Sequence, residues 1–236
     1  MSELSTWKPL YRFGGIAALM AALLFRRNIG AEVSLLTGAN AIPHSVAEWF
    51  SLLRTNPFVG MSFLAVFDLC NYLLEGLIFL ALGAALWQAG KSLAALALAS
   101  GLVGIGVNFA TNISLSMLSL SQQYAAATSE TQRVALLSAG QALLAFNGSM
   151  ANLPGTGTYM TWLLVALAGV SFSRLLWPTN RATAIVGFLA SGCDLAFCLT
   201  FAFSPILQIV FMSFGGAFWM LWHLLVARIL FKLSKE

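Results

Sequence analysis

Six segments of this 236-residue chain are long and apolar enough to cross a bilayer, at about 12–36, 58–88, 93–120, 157–177, 182–204 and 206–231. A hydrocarbon core about 30 Å thick takes roughly 20 apolar residues of helix. Inside it only helices and closed barrels satisfy their own backbone. The composition agrees: 59% of residues are apolar, 8% are charged, and the mean hydropathy is +0.86. A soluble domain carries about 25% charged residues. The 12 basic and 8 acidic side chains cannot coat a water-soluble body of 25.3 kDa. Soluble enzymes, nucleic-acid binders and disordered regulators are thereby excluded. The expected fold is all-α: a single domain over 1–236, an integral membrane bundle of six transmembrane helices with two short interfacial helices.

The links between the segments are uneven. Gln88 to Ser92, Pro178-Thr179-Asn180 and Ser204-Pro205 make tight reversals, whereas 37–57 and 121–156 are long. Each long link holds a helix-start signal. Ser45 and Glu48 fit a capping box after Pro43, and Val46, Trp49, Phe50 and Leu53 then share one face. Ser129 and Gln132 form a similar start before Val134 to Phe146, a run too short to span. Both read as helices lying in the interface or capping the bundle. Residues 147–157 read as a loop. Trp7, Trp49, Trp87, Trp177, Trp219 and Trp222 fall near segment ends, where interfacial anchors sit.

The net charge is +4 and the pI about 9.2. With a cytoplasmic N-terminus, Lys8, Arg12, Lys91, Arg174, Arg181, Arg228, Lys232 and Lys235 all face the cytoplasm, while only Arg54 and Arg133 face outside. That asymmetry predicts both termini inside. Lys8 and Arg12 before the run from Phe13 to Phe25 resemble a signal peptide, but Arg26-Arg27-Asn28 follows in place of a cleavage site. The segment reads as an uncleaved first helix. Cys70, Cys193 and Cys198 lie in apolar runs and read as buried small hydrophobes.

Glu32, Asp68, Glu75 and Asp194 lie within the spanning segments. A charge at mid-membrane costs about 2.5–3.5 kcal/mol on insertion scales, so each needs a partner inside the bundle. At about 1.5 Å per helical residue, Arg26 and Arg27, Asp68, Asn108 and Asp194 reach similar heights near mid-membrane. A cluster of Arg26 or Arg27 with Asp68 and Asp194 is therefore expected, assisted by Asn108 and Asn112. Glu75 and His223 share a lower level, where a carboxylate beside an imidazole can pass protons. Asp68, Asn71, Tyr72 and Glu75 form one helical stripe; Asn108, Thr111, Asn112, Leu115 and Ser119 form another. The competing reading is architectural. Polar contacts between membrane helices contribute about 0.6 kcal/mol on average and specify packing. Hydroxyls of the third segment then bond back to their own helix, and Gly101, Gly104 and Gly106 permit close approach.

Established catalytic signatures are missing. His44 and His223 fall on opposite sides of the bilayer, and no HExxH or three-ligand His/Cys set occurs, so neither a metal site nor a haem is expected. GxxxxGK[ST], GxGxxG and GxSxG do not occur. Gly155-Thr156-Gly157-Thr158 has no lysine, and the serine motif of a rhomboid protease is not on the fourth segment. Asn147-Gly148-Ser149 matches a glycosylation sequon at low specificity. No cofactor is expected.

Tyr11-Arg12-Phe13-Gly14-Gly15-Ile16-Ala17-Ala18, Phe25 to Glu32, Phe67-Asp68-Leu69-Cys70-Asn71-Tyr72 and Tyr124 to Arg133 together carry a resemblance. The chain resembles small multi-pass membrane proteins of bacteria grouped as a domain of unknown function. The resemblance implies about six spans and a prokaryotic plasma membrane, and brings no activity or site residue. Three roles remain open from sequence. The first is a structural or accessory membrane protein with buried ion pairs. The second is a small transporter using the Arg/Asp layer with Glu75 and His223 as a proton path. The third is an intramembrane enzyme acting on a lipid-like substrate. Expected partners are the lipid bilayer and either a membrane protein or a second copy of the chain, with no nucleic acid.

Overall fold

A computed structural model describes residues 3–26, 43–148, 154–200 and 203–236. Among them the chain forms ten α-helices and no strand. In order these are α1 (Glu3–Arg26), α2 (Val46–Thr55), α3 (Pro57–Phe63), α4 (Val66–Leu86), α5 (Lys91–Thr111), α6 (Ser114–Ala126), α7 (Glu130–Asn147), α8 (Thr156–Leu176), α9 (Arg181–Thr200) and α10 (Pro205–Leu233). A short 3-10 turn, Trp87–Ala89, joins α4 to the tight link at Gly90. Five stretches are long and apolar enough to cross a membrane: Val66–Ala89, Lys91–Ala126, Thr156–Leu176, Arg181–Thr200 and Ile206–Leu233. The first expected segment differs: its helix begins at Glu3 and includes Lys8, Arg12 and Arg26, while 27–36 lie outside the described residues.

The contacts divide the chain into two compact units where the sequence suggests one domain. The first comprises Met1–Arg27, Asn71–Val107 and Tyr159–Glu236. Here α1 packs along α10 and α9 packs along α10 from another side. Close approach is set by small residues. A Cβ on Gly14 would strike Ala81 and come within 3.2 Å of Leu230, bringing α1, α4 and α10 together. A reciprocal pattern joins α8 to α9. Gly169 faces Ser191, and Gly187 faces Ser173, so two small-xxx-small pairs interlock across the antiparallel helices. Thr161 adds a hydrogen bond, donating to the Gly104 carbonyl at 3.1 Å. Large apolar side chains such as Phe13, Leu73, Leu96 and Leu189 are exposed, while Thr183, Ser191, Glu75 and His223 are buried. That distribution suits helices whose outer faces meet hydrocarbon.

The second unit comprises Asn28–Cys70 and Asn108–Thr158. Its helix starts follow the sequence signals. Ser45 accepts from the Glu48 amide at 3.3 Å and Ser129 from the Gln132 amide at 3.2 Å. Val46, Trp49, Phe50 and Leu53 form the buried face of α2, packed with Ile113, Met117 and Leu144. Glu48 reaches one residue further back than a standard capping box, accepting the His44 amide at 2.7 Å. The second inter-segment helix is longer than the run read from sequence, spanning all of Glu130–Asn147, with Gly148 at φ 78 closing it.

Two expected continuous helices are broken. The segment 58–88 divides at Ala65, the one non-glycine residue with positive φ (61) among those described. Segment 93–120 divides after Thr111, so Asn108, Thr111, Asn112, Leu115 and Ser119 do not form one stripe. The breaks share a bond. Asn112 Nδ2 donates to the Ala65 carbonyl at 2.9 Å, and Asn112 Oδ1 accepts from the Ser114 amide at 3.1 Å, capping the start of α6. A side-chain cap satisfies backbone groups that an uninterrupted helix would satisfy itself. Two other expectations fail. Trp49, Trp219 and Trp222 are buried rather than interfacial, and Cys70 is exposed.

Ala65→Gly is expected to raise stability by about 1 kcal/mol, because glycine carries no left-handed penalty; thermal unfolding in detergent checks it. Hydrogen bonding by the His44 amide holds the Glu48 carboxylate below its ordinary value of 4.5. A lowered folded value stabilises α2 above the unfolded value and is lost as pH falls through the folded one. Protection of the α2 amides against hydrogen exchange, corrected for the intrinsic pH dependence of the exchange rate, should therefore fall between about pH 5 and pH 3. Glu48→Gln should flatten that dependence.

Candidate functional site

In the first unit, α4, α8, α9 and α10 line a partly open cavity of about 150 Å³. Its wall carries Asn71, Tyr72 and Glu75 from α4, Trp162 and Val165 from α8, Asp194 and Phe197 from α9, and Met212, Gly216 and Trp219 from α10. The periodicity of α4 explains the first set: Asn71, Tyr72 and Glu75 fall at consecutive turns of one face. On α10, Gly216, Trp219 and His223 do the same. A Cβ built on Gly216 meets no atom within 4 Å, so the glycine leaves open space. Trp162 and Phe197 meet edge to face at 4.5 Å between centroids and form an aromatic wall.

Glu75 and His223 meet as the sequence suggested. Glu75 Oε2 lies 2.6 Å from His223 Nε2, with the residues 3% and 0% exposed. His223 Nδ1 lies 2.6 Å from the Trp219 carbonyl. A carbonyl oxygen only accepts, so Nδ1 carries a proton and donates. The other bond then needs one more proton, placed on either Nε2 or Oε2. In both arrangements the pair is neutral overall and shares a single mobile proton. Removing that proton would set a bare carboxylate against an imidazole lone pair in an apolar interior, a costly state. Glu75 Oε1 is buried and has no hydrogen-bond partner among the described residues.

Trp219 connects this pair to the second carboxylate. Its indole N–H donates to Asp194 Oδ2 at 2.7 Å while its carbonyl receives the His223 bond. Asp194, Trp219, His223 and Glu75 thus form one linked chain across α9, α10 and α4. The sequence contained the i, i+4 spacing of Trp219 and His223. Reading Trp219 as an interfacial anchor concealed its part, and nothing local marked Trp162 or Phe197.

The other expected cluster residues are placed as follows. Arg27 and the side chain of Arg26 lie outside the described residues. Asp68, Asn108 and Asn112 belong to the second unit, and Asp194 to the first. Asp68 is exposed in the first turn of α4. Asn112 is a helix cap, and Asn108 Oδ1 is buried without a partner among the described residues. Several serine hydroxyls bond back to their own helices, as Ser100 does to Leu96 and Ser121 to Leu118. Among the described residues no group of three His, Cys, Asp or Glu is placed to hold a metal ion. Comparison with protein-family models, curated proteins and solved structures finds no match to this chain.

The shared proton predicts a difference between two substitutions. Glu75→Gln keeps a donor for a neutral His223 and should change stability little. Glu75→Leu removes the carboxyl partner of a buried imidazole, costing about 1–3 kcal/mol. Thermal unfolding in detergent separates them. Nitrogen-15 shifts of His223 in Glu75→Gln should show the neutral Nδ1–H tautomer.

Proposed function

We propose that this chain is a six-span protein of a bacterial plasma membrane, with both termini cytoplasmic, that moves a small solute across the bilayer coupled to a proton. In this reading α1 supplies the sixth span, and α2 and α7 lie in the interface. The distribution of Lys and Arg among the links supports the orientation. The proton-sharing Glu75–His223 pair, whose Glu75 lies on the wall of the cavity, carries the functional reading. A proton held on a neutral buried pair leaves without leaving a bare charge only if another positive charge arrives or the pair rearranges. That exchange is the elementary requirement of coupled transport.

A second reading has its own support. Glu75–His223 joins α4 to α10, and Trp219–Asp194 joins α10 to α9. The same bonds serve an accessory membrane protein by fixing which helices meet. Proteoliposomes loaded with a pH-sensitive dye distinguish the two. Gradients of small amines, amino acids, sugars and organic anions are imposed in turn. At least one class should drive proton movement in the wild type and fail to do so in Glu75→Gln, while the unfolding temperature of that variant is retained. If no class moves protons and Glu75→Leu only lowers stability, the accessory reading replaces transport.

A further inference from the structure

We infer that the cavity between α4, α8, α9 and α10 binds a small alkylammonium ion, with Asp194 as its counter-ion and the rings of Tyr72, Trp162 and Trp219 as its walls. The inference deepens the transport reading by naming its substrate class.

Charge accounting is the first support. Glu75 and His223 are neutral as a pair, and among the described residues no Lys or Arg lines the cavity. Among the described residues, Asp194 is met by the neutral indole N–H of Trp219 and by no cation. An ionised Asp194, half-buried on the cavity wall, has no cation beside it among the described residues, and a cation entering there would be held by its charge. The second support is an oxygen awaiting a donor: Glu75 Oε1, on a side chain that is almost fully buried and lines the cavity, has no partner among the described residues. An ammonium N–H can donate to it once the Glu75 side chain turns that oxygen toward the cavity, while the charge of the ion faces Asp194.

The walls select among cations. A bare metal ion needs a shell of several oxygens. Much of this surface is instead Trp162, Val165, Phe197, Met212 and Trp219. Aromatic faces stabilise organic ammonium groups, and alkyl substituents pack against them. A volume of about 150 Å³ suits an ion with a few carbon atoms.

The full chain in maltoside micelles is titrated with methylammonium, ethylammonium and tetramethylammonium chloride, followed by calorimetry and tryptophan fluorescence. Sodium chloride at matched ionic strength is the reference. The wild type should bind at least one of these ions saturably. Asp194→Asn should weaken binding at least about thirtyfold. Gly216→Leu fills the open space while keeping both carboxylates in the chain and should abolish binding at unchanged helix content, which keeps the test valid if Asp194→Asn does not fold. Alkylammonium can arrive free or as a lipid headgroup. A fluorescence response to vesicles containing phosphatidylethanolamine, but to none of the free ions, assigns the headgroup as the source. No response beyond sodium chloride from either source overturns the inference, as does binding that survives Gly216→Leu. Ammonium binding without proton flux in proteoliposomes removes the transport reading and leaves the site. Proton-coupled flux of another solute without ammonium binding does the reverse.

Discussion

A carboxylate and an imidazole held 2.6 Å apart out of contact with water must share a proton, and most of the first unit is arranged so that they can. Glu75 comes from α4 and His223 from α10, 148 residues apart in sequence. Their meeting depends on α10 lying among several other helices at close range. It also depends on the His223 ring being oriented by the Trp219 carbonyl, which fixes the protonated nitrogen. Without that second bond the ring could turn, and either nitrogen could face Glu75.

Close helix approach is the means. Gly14 admits Ala81 and Leu230, while Gly169 and Gly187 admit Ser191 and Ser173. In hydrocarbon there is little hydrophobic gain from helix association, so van der Waals fit and a few polar bonds decide it. Trp222 shows the cost of that packing. Its ring is wholly buried against the space above Gly187, and its indole nitrogen has no hydrogen-bond partner among the described residues. Trp219, one turn earlier, has a carboxylate for the same group. Two tryptophans of one helix thus have different roles: one fills volume and the other orders a polar chain.

Local signals in the sequence were legible where the physics is local. Ser45 and Ser129 cap helices as their spacing from Glu48 and Gln132 implies, and the buried face of α2 follows from helical periodicity. The meeting of Glu75 and His223 was legible through depth, since two ionisable groups at one level of a bundle need each other. The breaks at Ala65 and Asn112 were not. Alanine favours helix, and its left-handed turn here accompanies a bond from an asparagine 47 residues away. Trp219 was misread because proximity to a segment end says nothing about which face of the helix carries the ring.

The sequence by itself determined that the chain forms long apolar helices, where two of the shorter ones begin, and which ionisable groups could not be left alone in hydrocarbon. These follow from composition, periodicity and capping, which act over a few residues. Only the tertiary structure decided that Asp194 joins Trp219, that four helices leave a cavity between them, and that one carboxylate oxygen there lacks a donor. Those outcomes depend on the rotation of each helix about its axis, and neighbouring helices set that rotation through contacts far apart in the chain.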